Sequence, residues 1–231
     1  MEDPFKRLGE PTGLPDMGQC YTRDAVDRIV EKADCVVFDF HRTLCSDLFF
    51  RPLGESVVAC IQALLWGQDQ TLFNQWLTGQ VKASGIAAYL SGLLGIPACR
   101  IEEALREGCR EFVLNEAVWG FAQAVRAAGK RTALVTVNAD VFSEETVPAH
   151  GLDRVFDVIV NSADRGDMDK LRLWPVAFEA LGTHIGYANS FLIEDGEDSP
   201  RRFTEAGGKA YQYRDDGTFG AWLDQKAETR E

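Results

Sequence analysis

The chain predicts an α/β fold built on a parallel sheet, with an all-helical segment inserted after the first strand. Two observations carry this. Apolar runs without polar alternation recur between helical stretches, as expected of strands covered on both faces. Between the first two of them, from about Ser46 to Asn115, only helical periodicity occurs, broken by Gly79, Gly85 and Gly95-Ile96-Pro97.

In chain order, residues 1 to about 20 carry several Pro and Gly without periodicity and read as an irregular arm. Thr22 is an N-cap candidate for a helix whose face is Ala25, Ile29 and Val30. Cys35 to Phe40 is the first strand. Four helical stripes follow, Val57 to Leu65, Leu72 to Val81, Ala87 to Leu94 and Ile101 to Phe112. Trp66, Trp76, Tyr89 and Phe112 are assigned to the core of this module, with an aromatic facing the substrate as the alternative. Val118 to Arg126 returns as a helix ended by Gly129, since glycine suits a helix stop. Strands are then expected at Thr132 to Val137, Phe156 to Asn161, Ser190 to Glu194 and Lys209 to Tyr213, with a helix from Leu171 to Leu181 stopped by Gly182. The division is a core of residues 1–45 and 116–231, and a helical domain of 46–115.

The 231 residues are 45% hydrophobic and 26% charged, ordinary for a globular protein, with a net charge of −12. That balance argues against nucleic acid and anionic membranes as partners, because both need a basic face. It leaves room for an anionic small molecule held by a metal ion and a lysine. Cysteines at 20, 35, 45, 60, 99 and 109 form no C-x-x-C pair and read as free thiols in a reducing compartment. The acidic start Met1-Glu2-Asp3-Pro4 carries no secretory signal, and no apolar run is long enough for a bilayer. A soluble cytoplasmic protein is expected; oligomeric state is left open.

The chemistry concentrates where strands end. Asp39 closes the run Cys35-Val36-Val37-Phe38, and a carboxylate there can attack phosphorus to form an acyl phosphate. An anion attacking an anion needs a cation, and Mg²⁺ on oxygen ligands supplies it. Thr136 ends the second strand with a hydroxyl suited to a phosphate oxygen, and Asn138 follows closely. Glu194, Asp195, Glu197 and Asp198 crowd the end of the fourth strand and would repel one another without a cation.

In order and spacing, Asp39 with Thr43, Thr136, Lys170 and Asp195 resemble the four motifs of the haloacid dehalogenase (HAD) superfamily, over roughly Cys35 to Tyr213. The resemblance implies a Rossmann-like sheet in the order 3-2-1-4-5 and makes the helical insertion a C1 cap. It implies Asp39 as nucleophile, Thr43 as support for the turn, and Thr136, Asn138 and Lys170 as phosphate-binding groups. Asp39, His41 and Asp195 become the metal-binding positions for Mg²⁺, with Glu194 or Asp198 acting through water. Arg165 and Arg172 rival Lys170 as the third-motif cation. The expected reaction is Mg²⁺-dependent hydrolysis of a small phosphorylated metabolite. His41 departs from the pattern, because family phosphatases carry an aspartate there. Imidazole can serve as acid and base, with an ordinary pKa of about 6.5, and Asp39, His41, Thr136 and Lys170 form the expected catalytic set. Two alternatives stay open: carbon–halogen hydrolysis without metal, and a binding or regulatory protein that kept the fold. Arg42 reads as a surface residue or a contact to the cap or an anionic substrate; His150 and His184 read as loop or surface residues.

Overall fold

A computed structural model describes residues 21–228, so the arm assigned to residues 1 to about 20 lies outside the described residues. Five strands, β1 (Cys35–Phe38), β2 (Arg131–Thr136), β3 (Val158–Asn161), β4 (Ser190–Glu194) and β5 (Lys209–Gln212), form one sheet. Its order is 3-2-1-4-5 and every pairing is parallel. The expected order is therefore the observed one, and the ends of β1, β2 and β4 lie side by side.

Alternate residues of each strand enter opposite cores. Val36, Phe38, Leu134, Phe191 and Ile193 pack with the helices Arg23–Ile29, Glu116–Ala127 and Thr218–Glu228. Cys35, Val37, Ala133, Val135 and Leu192 face the other way, onto Leu173, Trp174, Phe178 and Phe203 of the helices Lys170–Leu181 and Asp198–Glu205. Burial on both faces is why these strands read as continuous apolar runs.

Strand ends differ from the sequence expectation by one or two residues. β1 closes at Phe38 rather than Phe40, yet the Asp39 amide still donates to the Ile193 carbonyl at 3.0 Å. The carboxylate thus starts from a backbone tied to β4. The Phe40 carbonyl then accepts from the amides of Thr43, Leu44 and Cys45, which closes the turn. Arg42 occupies the left-handed region at φ 61°, a position that favours glycine and costs an arginine about 1 kcal/mol.

Between β1 and the helix Glu116–Ala127 lie the helices Glu55–Gln62, Gln70–Leu77, Ala83–Leu94 and Ala98–Arg110, and no strand. Asp69 caps the second by accepting from the Leu72 amide (3.1 Å), and Gly95, at φ 69°, ends the third. Val81 and Phe112, read as helical, lie beyond helix ends. The first helix runs on into a π-helical turn, Ala63–Gln68, which a regular 3.6-residue stripe does not anticipate. Trp66 in that turn is 42% exposed, whereas Trp76 and Phe112 are buried as expected and Tyr89 is half-buried. The insertion leaves and rejoins the sheet at one place, where the Asn115 amide donates to the Leu44 carbonyl at 2.8 Å.

Several contacts fasten it to the sheet side, among them the following. The carboxyl group of Asp140, just beyond β2, accepts from Trp76 Nε1 (2.8 Å) and the Ala83 amide (3.1 Å). Ser162 Oγ, just beyond β3, donates to the Leu77 carbonyl at 2.7 Å. A Cβ on Gly79 would lie 2.2 Å from the Ala163 carbonyl oxygen, so only glycine permits that approach. No described helix is long and apolar enough to cross a membrane.

Candidate active site

The parallel sheet delivers Asp39, Thr136 and Asp195 to the carboxyl ends of adjacent strands, the crevice where open α/β sheets place ligands. Asp39 and Glu194 are buried and Asp195 half-buried, and one carboxylate oxygen from each lies within 4.8 Å of the others. Lys170, at the first turn of its helix, inserts between two of them. Its ammonium lies 2.9 Å from Asp39 Oδ1 and forms an ion pair with Glu194 Oε2. Asp169 caps the helix by accepting from the Leu171 amide (3.2 Å), which fixes the start from which Lys170 reaches back.

The rivals of Lys170 are elsewhere. Arg172 is exposed and pairs with Asp167 (2.6 Å), and Arg165 is exposed. Asp198 is an exposed partner of Arg201 (2.6 Å), outside the carboxylate group. Arg42 is a mostly exposed side chain whose Nε approaches Asp195 Oδ2 at 3.6 Å.

Electrostatics follow from this crowding. Burial pushes the Lys170 ammonium down, but the charges of Asp39 and Glu194 outweigh it and hold the group above the usual lysine range. Burial first and the Asp39 charge second push Glu194 up to about 8, against the pull of Lys170. Asp195 is raised by burial and then by Asp39, with Arg42 and Lys170 opposing. Burial lowers the His41 imidazole, and Asp39 and Asp195 offset part of that. Two of the three carboxyl groups thus pair with one buried ammonium, and Asp195 has Arg42 beside it.

Oxygen donors in this number suit a hard divalent cation. Asp39 Oδ1 is buried and faces only the Lys170 ammonium among the described residues, which leaves the crowded carboxyl oxygens of Asp39, Glu194 and Asp195 with more acceptor capacity than this one cation fills. The residues fit Mg²⁺, with Glu194 in the group and the His41 ring nitrogens not part of it. Glu194, which the sequence reading gave a role only through water, is the residue that this geometry promotes.

Thr136 Oγ1, at the end of β2, is buried without a partner among the described residues. Asn138 is buried; its Oδ1 accepts from the Ala139 amide and its own amide donates to Ser162 Oγ, both at 2.9 Å. Its side-chain NH₂ has no partner among the described residues. Contrary to the sequence expectation, the Thr43 hydroxyl does not hold the turn. That oxygen is buried and unpartnered, and backbone hydrogen bonds close the turn instead. Half-buried His41 borders two cavities, described below. His184 is exposed, while His150 is half-buried with Nε2 unpartnered, rather than a plain surface residue.

No protein-family profile matches the chain, and no curated protein does. Solved structures do. A HAD family enzyme from Bacteroides thetaiotaomicron, in complex with magnesium and inorganic phosphate, aligns with a TM-score of 0.61 at 13% identity, covering 80% of this chain and 96% of that one. A predicted HAD-like family hydrolase from Porphyromonas gingivalis gives 0.65 at 14% identity, covering 86% and 99%. The fold is that of the haloacid dehalogenase superfamily. L-2-haloacid dehalogenase from Xanthobacter autotrophicus also aligns, with a TM-score of 0.58 at 15% identity, over 85% and 84% of the two chains. Solved structures of this fold thus include one bound to magnesium and inorganic phosphate and one named a haloacid dehalogenase.

Proposed function

We propose that the protein is a Mg²⁺-dependent hydrolase of a small phosphorylated metabolite, acting through an aspartyl phosphate on Asp39. The observation that carries this reading is the group of Asp39, Glu194 and Asp195 beside Lys170, a crowding of carboxyl groups that pushes Glu194 and Asp195 up and that a divalent cation would relieve.

Asp39, Glu194 and Asp195 would hold Mg²⁺, which when bound neutralises carboxylate and phosphate charge. Lys170 keeps the Asp39 carboxylate oriented and draws phosphate oxygens toward it. The Thr136 hydroxyl and the Asn138 NH₂, both unpartnered among the described residues, donate to those oxygens. An Asp39 oxygen attacks phosphorus, the bond from phosphorus to the ester oxygen breaks, and the departing alkoxide takes a proton from His41. His41 then takes a proton from water as that water's oxygen attacks the acyl phosphate. The bond from phosphorus to Asp39 breaks, releasing inorganic phosphate and restoring the carboxylate. The helical domain of residues 46–115 acts as the cap that shields this crevice and selects the substrate.

A second reading, carbon–halogen hydrolysis by Asp39 without metal, draws on His41 and on the apolar cavity beside it. Phosphate release from a panel of phosphomonoesters, with Mg²⁺ and with EDTA, tests the first against halide release from 2-halo acids. Mg²⁺-dependent phosphate release is expected. Halide release that persists in EDTA would replace it with the second. Tight binding of Mg²⁺ and a phosphate analogue without either turnover would mark a binding protein.

A further inference from the structure

Beside His41 and Asn138, past the ends of β1 and β2, lies a cavity of about 190 Å³. Leu48, Phe49, Trp66, Phe73, Leu77 and Val137 form its walls, and His41 is its one titratable lining group. The wider cleft of about 820 Å³ that also borders His41 has the opposite character, with Arg42, Asp195, Glu197, Arg214 and Asp215 among its lining. The two cavities share His41, Leu48 and Trp66. The crevice is therefore divided at His41 into a charged half next to the metal-binding carboxylates and an apolar half under the helical insertion.

Trp66 marks the division. It packs edge-on against Phe73, with ring centroids 5.8 Å apart, yet stays 42% exposed. Its place in the π-helical turn Ala63–Gln68 sets it off the buried stripe of its helix. A large aromatic surface at the mouth of an apolar cavity gains from being covered.

We propose that the alcohol portion of the substrate is a compact apolar group, aryl or branched alkyl, seated in this cavity against Trp66. The proposal rests on the phosphomonoester reading above. An apolar cavity of about 150 Å³ accepts a benzene-sized group, so this one suits a single ring. A sugar or polyol would find only His41 and Asn138 as hydrogen-bonding partners there, and its other hydroxyls would be desolvated without compensation. A second phosphate would meet no lysine or arginine in that lining.

Benzyl phosphate and glycerol 3-phosphate both release alkoxides, so comparing them separates recognition from leaving-group chemistry. A kcat/KM preference for benzyl phosphate on the order of 10- to 100-fold is expected. It should collapse toward parity in Trp66→Ala, a substitution at a half-exposed position that spares the core. Equal or better turnover of glycerol 3-phosphate by the wild type would overturn the proposal. Should no ester be hydrolysed, the phosphomonoester reading fails and the cavity is judged on benzyl alcohol. Saturable binding that is lost in Trp66→Ala sustains an apolar subsite, and no binding removes it.

Discussion

Replacing Asp140 by alanine tests how the helical insertion is held over the crevice. Its carboxyl group accepts from Trp76 Nε1 at 2.8 Å and from the Ala83 amide at 3.1 Å, and all three residues are buried. Alanine would leave both donors without a partner. Each buried unsatisfied donor costs about 1–3 kcal/mol, while removing a buried carboxyl group returns part of its own desolvation cost, so a net loss of about 3 kcal/mol is expected. For a chain of this size that lowers Tm by on the order of 10 °C. Urea unfolding supplies the free energy, and an unchanged m value confines the effect to stability. A double-mutant cycle with Trp76→Phe isolates the pair: the two losses should fall short of additive by more than about 0.5 kcal/mol. A loss under about 1 kcal/mol, or strict additivity, would show that these hydrogen bonds do not fasten the insertion.

His41→Ala should slow alkyl phosphates far more than activated aryl phosphates, by roughly 10²- to 10⁴-fold, because only the former need a proton on departure; equal losses would make His41 a positioning group. Mg²⁺ should raise Tm, with about 2.7 kcal/mol of stabilisation at one hundred times its dissociation constant. Asp195→Asn or Glu194→Gln should abolish most of that gain, and an unchanged Mg²⁺ response would exclude these ligands. Burial pushes the thiols of Cys35, Cys45 and Cys109 up to about 12, while Cys60 and Cys99 are exposed. A thiol reagent near neutral pH should therefore modify Cys60 and Cys99 in the native protein and the buried three only after unfolding, as peptide mapping would show.

The sheet was legible because burial on both faces leaves an unmistakable apolar run, and Asp39, Thr136 and Asp195 close such runs. Glu194 was harder to place. It sits beside Asp195, and strand periodicity would send neighbouring side chains to opposite faces. The pleat ends at Glu194, so both carboxyl groups meet Asp39. Lys170 was the expected cation, but only the start of its helix, fixed by Asp169, explains why it rather than Arg165 or Arg172 reaches Asp39. Asp140 and Trp76 carry no local signal, since a hydrogen bond across 64 residues of chain leaves none. Trp66 was assigned to a core because helical spacing assumes 3.6 residues per turn, and the π-helical turn breaks that spacing. The apolar cavity draws on four separate segments, so no motif could announce it.

Turnover of a phosphomonoester with Mg²⁺, quenched in acid and mapped by mass spectrometry, addresses the nucleophile itself. A phosphoryl group should appear on the peptide containing Asp39, be absent when EDTA replaces Mg²⁺, and be absent in Asp39→Asn, whose phosphate release should fall by orders of magnitude. Phosphate release that continues at the wild-type rate in Asp39→Asn would contradict the assignment.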